Sequence, residues 1–164
     1  MKILTLVRHA KSSWEDSNIS DRERPLNKRG EHDAPMMGKR VVAAGIRPSL
    51  ILSSPAVRAW TTAKILAQEI GYPREFLQRE NSLYLASLDN IIDVLIAQDA
   101  EFNSVMIVGH NPGLTIFANY LSPGLTDNLP TAGVVSVGFE QDDWNLHSAP
   151  KTELLTYDYP KLTR

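Results

Sequence analysis

The sequence predicts an α/β fold with a mostly parallel sheet, helices on both faces and an antiparallel edge. Three observations carry this. Short apolar runs alternate with stretches of helical periodicity as far as Leu121, the pattern of repeated βαβ units. The first run, ILTLV at residues 3–7, is apolar apart from Thr5, as in a strand covered on both faces. From Val134 onward strand-like runs follow one another with no helix between them, which adds antiparallel strands at one side.

The elements follow in order. Residues 3–7 are the first strand, and the polar residues 11–24 are a loop. A helix-like stretch then reaches Ala44 and is stopped by Gly45. Pro35 lies inside it, so a kink or a restart near Asp33 is expected. Residues 50–52 are a second strand. Ser54 and Pro55 read as N-cap and first helical residue of a helix that runs to Ile70 and stops at Gly71. Residues 76–80 are expected as a third strand. In residues 88–97, Ile91, Ile92, Leu95 and Ile96 recur at helical spacing behind a Ser87 cap. Residues 105–108 are a strand, Gly109-His110 a turn, and Asn111-Pro112 the cap and first residue of a helix reaching Leu121. Residues 134–139 are a strand. Residues 144–149 are expected to pair with it across the acidic turn at Asp142-Asp143, and residues 154–157 to add an edge.

With 164 residues, 43% hydrophobic and 22% charged, the whole chain, 1–164, is expected to be one domain with a full core. The net charge of −2 gives no overall field toward nucleic acid or a membrane surface. Any attraction for a phosphate must therefore be local. The absence of cysteine excludes disulfides, thiolate nucleophiles and cysteine-type zinc sites. No apolar run approaches the roughly 18 residues of a membrane span, and a cytoplasmic address is expected. There is no GxxxxGK[ST] loop for nucleotide phosphates. Acidic residues are not concentrated at strand ends, which disfavours a two-metal centre, and no cofactor is expected.

In an open α/β sheet ligands bind beyond the carboxyl ends of the strands. There the sequence places Arg8 and His9 after the first strand, Arg58 on the opening turns of the helix after the second, and His110 after the strand at 105–108. Two arginines and two histidines from three separate segments thus converge on one edge, beside helix N-termini that favour anions. This is a pocket for a compact dianion, most simply a phosphoryl group. Covalent catalysis on phosphorus uses His, Ser, Thr or Asp; besides His9, Ser12, Ser13, Ser53 and Ser54 lie close in sequence. A neutral imidazole attacks phosphorus in line when cations surround the equatorial oxygens, and Arg8, Arg58 and His110 are placed to supply them. His32 and His147 have no basic partner at a strand end and are read as structural or solvated.

L-V-R-H-A at residues 6–10, S-S-P-A-V-R-A-W-T-T-A at 53–63 and V-G-H-N-P at 108–112 together resemble the histidine phosphatase superfamily, the phosphoglycerate mutase-like or RHG group. Ala10 stands where many members have glycine. The R-P-L-N-K-R-G segment at 24–30 and the short chain look more like the SixA-type phosphohistidine phosphatases. The resemblance spans Lys2 to about Phe139 in the family's order. It implies a phosphoglycerate mutase-like three-layer α/β/α sandwich, transient phosphorylation of His9, a phosphate pocket of Arg8, Arg58 and His110, and no required metal. It also implies an acidic proton donor after the third strand, where Glu80 is the acid that matches in position. Asn18 and Arg24, from the loop after His9, are further candidates for lining the pocket; Arg22 is read as solvated.

No insertion is long enough to form a cap domain, so the pocket is expected to be open, as suits a phosphate presented on a protein. An alkoxide leaving group needs a proton donor, whereas imidazole leaving phosphohistidine needs far less help. The expected function is hydrolysis of phosphohistidine in a protein, with small phosphorylated metabolites as the alternative substrates. A mutase, which must shield its phosphoryl group from water, and a non-catalytic phosphoprotein-binding module are further alternatives. The sequence carries no signal of oligomeric state.

Overall fold

The computed structural model describes residues 1–162. Six strands form one sheet: β1 (Lys2–Arg8), β2 (Leu50–Ser53), β3 (Gln78–Arg79), β4 (Ser104–Gly109), β5 (Val134–Phe139) and β6 (Thr152–Asp158), in the order β3-β2-β4-β1-β5-β6. The four strands from β3 to β1 are parallel; β5 runs antiparallel to β1 and to β6. This is the mostly parallel sheet with an antiparallel edge that the sequence predicts.

Alternate residues of each central strand enter different cores, because side chains project to opposite faces of a strand. Leu4, Leu6, Leu50, Leu52, Val105 and Ile107 meet α3 (Leu88–Ile96) and α4 (Gly113–Leu121) on one face. Val7, Ile51, Met106 and Val108 meet α1 (Lys28–Ala43) and α2 (Val57–Ile70) on the other. Burial on both sides accounts for the largely apolar runs and makes the fold three-layered. Where β1 meets β5, Thr5 and Ser136 are both fully buried and satisfy each other through a 3.1 Å hydroxyl–hydroxyl bond.

Several boundaries depart from expectation. Helix α1 does not restart at Pro35. It is one helix whose Asn27 cap and buried Ala34, Met37 and Val41 hold it through the missing N–H. Helix α2 begins at Val57, after Ala56; Ser54 lies in the turn before it, where its Oγ accepts from Ala56 N at 3.2 Å and lies 2.7 Å from His110 Nε2. Helix α4 begins at Gly113 with Pro112 as its cap position, while Asn111 Oδ1 accepts from Thr115 N at 3.2 Å. The third strand shrinks to two residues, with Phe76 in a preceding 3₁₀ turn. Residues 144–149 form no strand; β6 takes the place beside β5. Their alternation instead drives Trp144 and Leu146 into the core, where Trp144 Nε1 donates to Phe102 O at 2.9 Å and Leu146 O accepts from Tyr120 at 2.8 Å. No helix among the described residues is long and apolar enough to cross a membrane.

Candidate active site

The strand order makes the carboxyl ends of β1, β4 and β2 neighbours, and the register brings them level. Arg8 pairs with Gly109, and Ser53 with Val108. The ladder continues one residue further on each strand: His9 N donates to Gly109 O and Ser54 N to Val108 O, both at 3.0 Å. Arg8, His9, Arg58 and His110 consequently line one open cleft of about 590 Å³. The turn after β1 lets the consecutive residues Arg8 and His9 face the same space.

The S-x-x-x-R-x-x-x-T spacing has a structural reason. Arg58 and Thr62, four apart, lie on one face of α2, Ser54 stands in the turn before it, and the three have three tasks. Ser54 Oγ lies 2.7 Å from His110 Nε2. Arg58, only 2% exposed, enters the cleft. The Thr62 hydroxyl donates to Arg58 O at 2.8 Å and accepts from Ala10 N at 3.0 Å, which ties the residue after His9 to α2. The R-P-L-N-K-R-G segment fixes the same loop from the other side. Asn27 caps α1 through Gly30 N at 2.8 Å and donates from its own N–H to Lys11 O at 3.0 Å. A Cβ on Gly30 would stand 2.1 Å from Lys11 O, so only glycine allows the loop to lie this close.

His9 Nδ1 is 2.7 Å from its neighbour's carbonyl, Ala10 O. A carbonyl only accepts, so Nδ1 carries the proton and the Nε2 lone pair is free. Burial pushes the His9 pKa down to about 4, reinforced by Arg58, Arg8 and Arg24 against the Ala10 bond. Burial, then the nearby His9 and Arg58, push His110 down to about 3. Both imidazoles are neutral at pH 7. Their ring centroids are 5.2 Å apart. Arg8 donates to Leu129 O at 3.0 Å, and the Nε atoms of Arg8 and Arg58 are buried without a protein partner.

Asp21 is the component that the sequence reading missed. It sits in a 3₁₀ turn (Asp21–Glu23) of the loop after His9. Its backbone carbonyl accepts from Arg58 Nη1 at 2.6 Å and its carboxylate from Arg58 Nη2 at 3.0 Å, Arg24 Nε at 3.1 Å and the Tyr84 hydroxyl at 2.5 Å. The Tyr84 bond, with Arg58 and Arg24, holds the Asp21 pKa at about 2. The Tyr84 ring meets His110 edge-on, centroids 5.6 Å apart. Asp21 and Tyr84 together thus brace both Arg58 and His110.

Of the remaining candidates, Arg24 lines the cleft, buried and bonded to Ser12 Oγ at 2.6 Å, with its guanidinium 3.5 Å from the Trp14 ring centroid. Glu80 does not join them. It lies in a separate groove with Asn81, Ser82 and Asn90, and its carboxylate turns to Ser82 N. Asn18 is exposed and outside the cleft lining, its N–H bonded to Asp16. Arg22 is exposed and reaches Asn81. His32 and His147 are largely exposed beside Asp33 and Asp93. The carboxylates that do line the cleft are Asp21 and Glu15.

A sheet edge that gathers arginines and histidines in this way defines a phosphoryl-handling protein, and comparison with known proteins gives the family. The model of the histidine phosphatase superfamily (branch 1) matches residues 4–81. An uncharacterized chloroplastic protein of Arabidopsis thaliana is 34% identical over 151 residues, covering 86% of this chain and 68% of the relative. An uncharacterized protein of Picosynechococcus is 31% identical over 167 residues, covering 96% of each. Among solved structures, one described as a candidate phosphohistidine phosphatase SixA, from Agrobacterium tumefaciens, superposes with a TM-score of 0.81 at 26% identity, covering 97% of this chain and 98% of that one. The chain belongs to the histidine phosphatase superfamily and is a phosphatase, similar within it to the SixA type.

Proposed function

We propose that this phosphatase works without a metal, through a phosphohistidine formed on His9, and that its substrate is phosphohistidine in a protein. One observation carries the mechanism: His9 is a neutral imidazole with its Nδ1 proton bound to Ala10 O and its Nε2 free, in a cleft with three guanidinium groups. In the first step Nε2 attacks phosphorus in line as the bond to the leaving group breaks, and that group departs with its electron pair. Arg8 and Arg58 offset charge on the equatorial oxygens, and His110 contributes hydrogen bonding. In the second step water attacks phosphorus as the N–P bond breaks with its electron pair returning to Nε2; the water gives up a proton to the phosphate or to solvent, inorganic phosphate leaves and His9 is restored. The donor set supports independence from metal: among the described residues no three His, Cys, Asp or Glu side chains gather to hold an ion.

The choice of substrate rests on the proton inventory. Of the two carboxylates lining the cleft, Asp21, held at about 2, is ionised and donates no proton near neutral pH, and Glu15 is solvent-exposed; Glu80 faces another groove. Imidazole leaving from phosphohistidine is the group that least needs a donor. The likeness to a structure described as SixA supports the same reading. The cleft is open, with Trp14 76% exposed at its mouth, which suits a side chain presented on a protein. The cytoplasmic address belongs to this proposal. Hydrolysis rates on a phosphohistidine protein and on alkyl and aryl phosphates, measured side by side, test it. A kcat/KM highest on phosphohistidine is expected. A clear preference for an alkyl phosphate, abolished by Glu15→Gln, would instead make the protein a phosphomonoesterase with Glu15 as its acid.

A further inference from the structure

A second cavity, of about 440 Å³, adjoins the phosphate cleft and shares two lining residues with it, Lys11 and Thr131. Its other charged walls are Arg29, Asp33 and Lys161, and Tyr159 with flanking prolines supplies apolar surface. Asp33 is buried and already paired, with Arg29 at 3.1 Å and beside His32 at 3.2 Å. Lys11 and Lys161 are exposed, and among the described residues neither ammonium has a hydrogen-bond or ion-pair partner. The cavity therefore presents two unpaired cations over a neutralised floor.

Its walls are fastened to the catalytic loop. Ala132 N donates to His9 O at 3.0 Å, and Gly133 N to Pro130 O at 2.9 Å, so the 130–133 turn is held against the nucleophile's own backbone. The opposite wall is clamped to α1 by Arg40, which donates to Tyr159 O at 3.0 Å and to Pro160 O at 3.4 Å. Both sides hold a set position relative to His9. The site is thus suited to read what lies next to the phosphoryl group on a substrate.

We propose that this cavity is a substrate subsite that receives an acidic side chain of a protein substrate, close in sequence to the phosphorylated histidine, between Lys11 and Lys161. The inference rests on the phosphohistidine reading above. An extended chain advances about 3.4 Å per residue, so a carboxylate about two residues away reaches a neighbouring cavity while the phosphoryl group occupies the cleft. Exposed ion pairs are individually weak and screened by salt. The subsite therefore acts as a selectivity device, worth roughly threefold to tenfold in kcat/KM at low ionic strength.

The experiment compares two phosphohistidine peptides, one with Asp and Glu flanking the histidine and one with Asn and Gln, alongside phosphoramidate. The native protein is expected to favour the acidic peptide, with the preference fading at high salt. Lys161→Glu is expected to abolish or reverse that preference and to leave phosphoramidate hydrolysis unchanged. Equal kcat/KM for the two peptides, or a preference that survives Lys161→Glu, overturns the subsite while leaving the phosphohistidine reading intact. A Lys161 dependence confined to small bis-anionic substrates overturns the peptide as its occupant. If neither peptide is hydrolysed while aryl phosphates are, the phosphohistidine reading fails and the subsite fails with it.

Discussion

Asp21 holds Arg58 at two points, its backbone carbonyl on Nη1 at 2.6 Å and its carboxylate on Nη2 at 3.0 Å. A carboxylate beside a phosphate pocket repels the ligand, so its presence calls for a compensating role. The orientation of the Arg58 fork is that role. Asp21→Asn keeps the backbone contact and removes the charge. Turnover is expected to fall about tenfold, equivalent to ~1.4 kcal/mol of transition-state stabilisation. Inhibition by inorganic phosphate should be at least as strong as before, because a repelling charge is gone. Measuring kcat together with the phosphate inhibition constant separates the two effects; weaker phosphate binding with unchanged kcat would assign Asp21 to ground-state binding alone.

Arg8, His9, Arg58 and His110 are legible in the sequence because each stands where an apolar run ends or a helix opens, and the topology of a parallel sheet collects such positions at one edge. Asp21 carries no such mark. Its loop has no period, and its place is set by tertiary contact with Arg58 and Tyr84, 37 and 63 residues away. Glu80 shows the converse. Its backbone is where a third-strand end should be, with Glu80 N on Ser53 O at 2.8 Å, yet its side chain turns to the far groove. Residues 144–149 alternate like a strand because Trp144 and Leu146 are buried, and that pattern does not distinguish burial from ladder pairing.

The approach of α1 to the catalytic loop makes Gly30 sensitive to a single methyl group. A Cβ there meets Lys11 O at 2.1 Å, and backbone rather than a flexible side chain must move. Gly30→Ala is expected to lower stability by about 1–3 kcal/mol, read as a shift in the urea midpoint. The displaced loop should also reduce kcat beyond any loss of folded protein. Full activity at unchanged stability would mean that the loop yields freely.

The pH profile follows from the histidine pKa values. His9 attacks only when neutral, and its pKa is about 4 where an unperturbed imidazole has 6.5. Above about pH 5 it is therefore free to react, and kcat/KM, corrected for ionisation of the substrate, should stay level toward neutrality and fall as the pH drops through 4. The same shift has a stability consequence. The unfolded chain protonates His9 and His110 near 6.5 and the folded chain only near 4 and 3. Between those values the unfolded state binds more protons, so stability decreases as pH falls from 6.5 toward 4. An acid limb centred near 6.5 in kcat/KM would contradict a neutral, buried His9.

The role of His9 itself is tested by trapping. If Nε2 attacks phosphorus, rapid quenching during turnover without acid should capture a phosphoryl group on the chain. An N–P bond is labile to acid and stable to base, whereas a phosphoserine on Ser12, Ser13, Ser53 or Ser54 survives acid, so the lability separates a histidine nucleophile from the serines. Mass spectrometry should place the label in the peptide containing Val7 to Lys11. His9→Ala should lose the label and reduce activity by about 10³-fold or more, as for groups that carry the covalent step. His110→Ala should be slow but still labelled, because His110, 2.7 Å from Ser54 and with its Nδ1 unpaired, stabilises the transferring group rather than carrying it. A label on His110 with none on His9 would exchange the two roles, and full activity in His9→Ala would remove the covalent mechanism altogether.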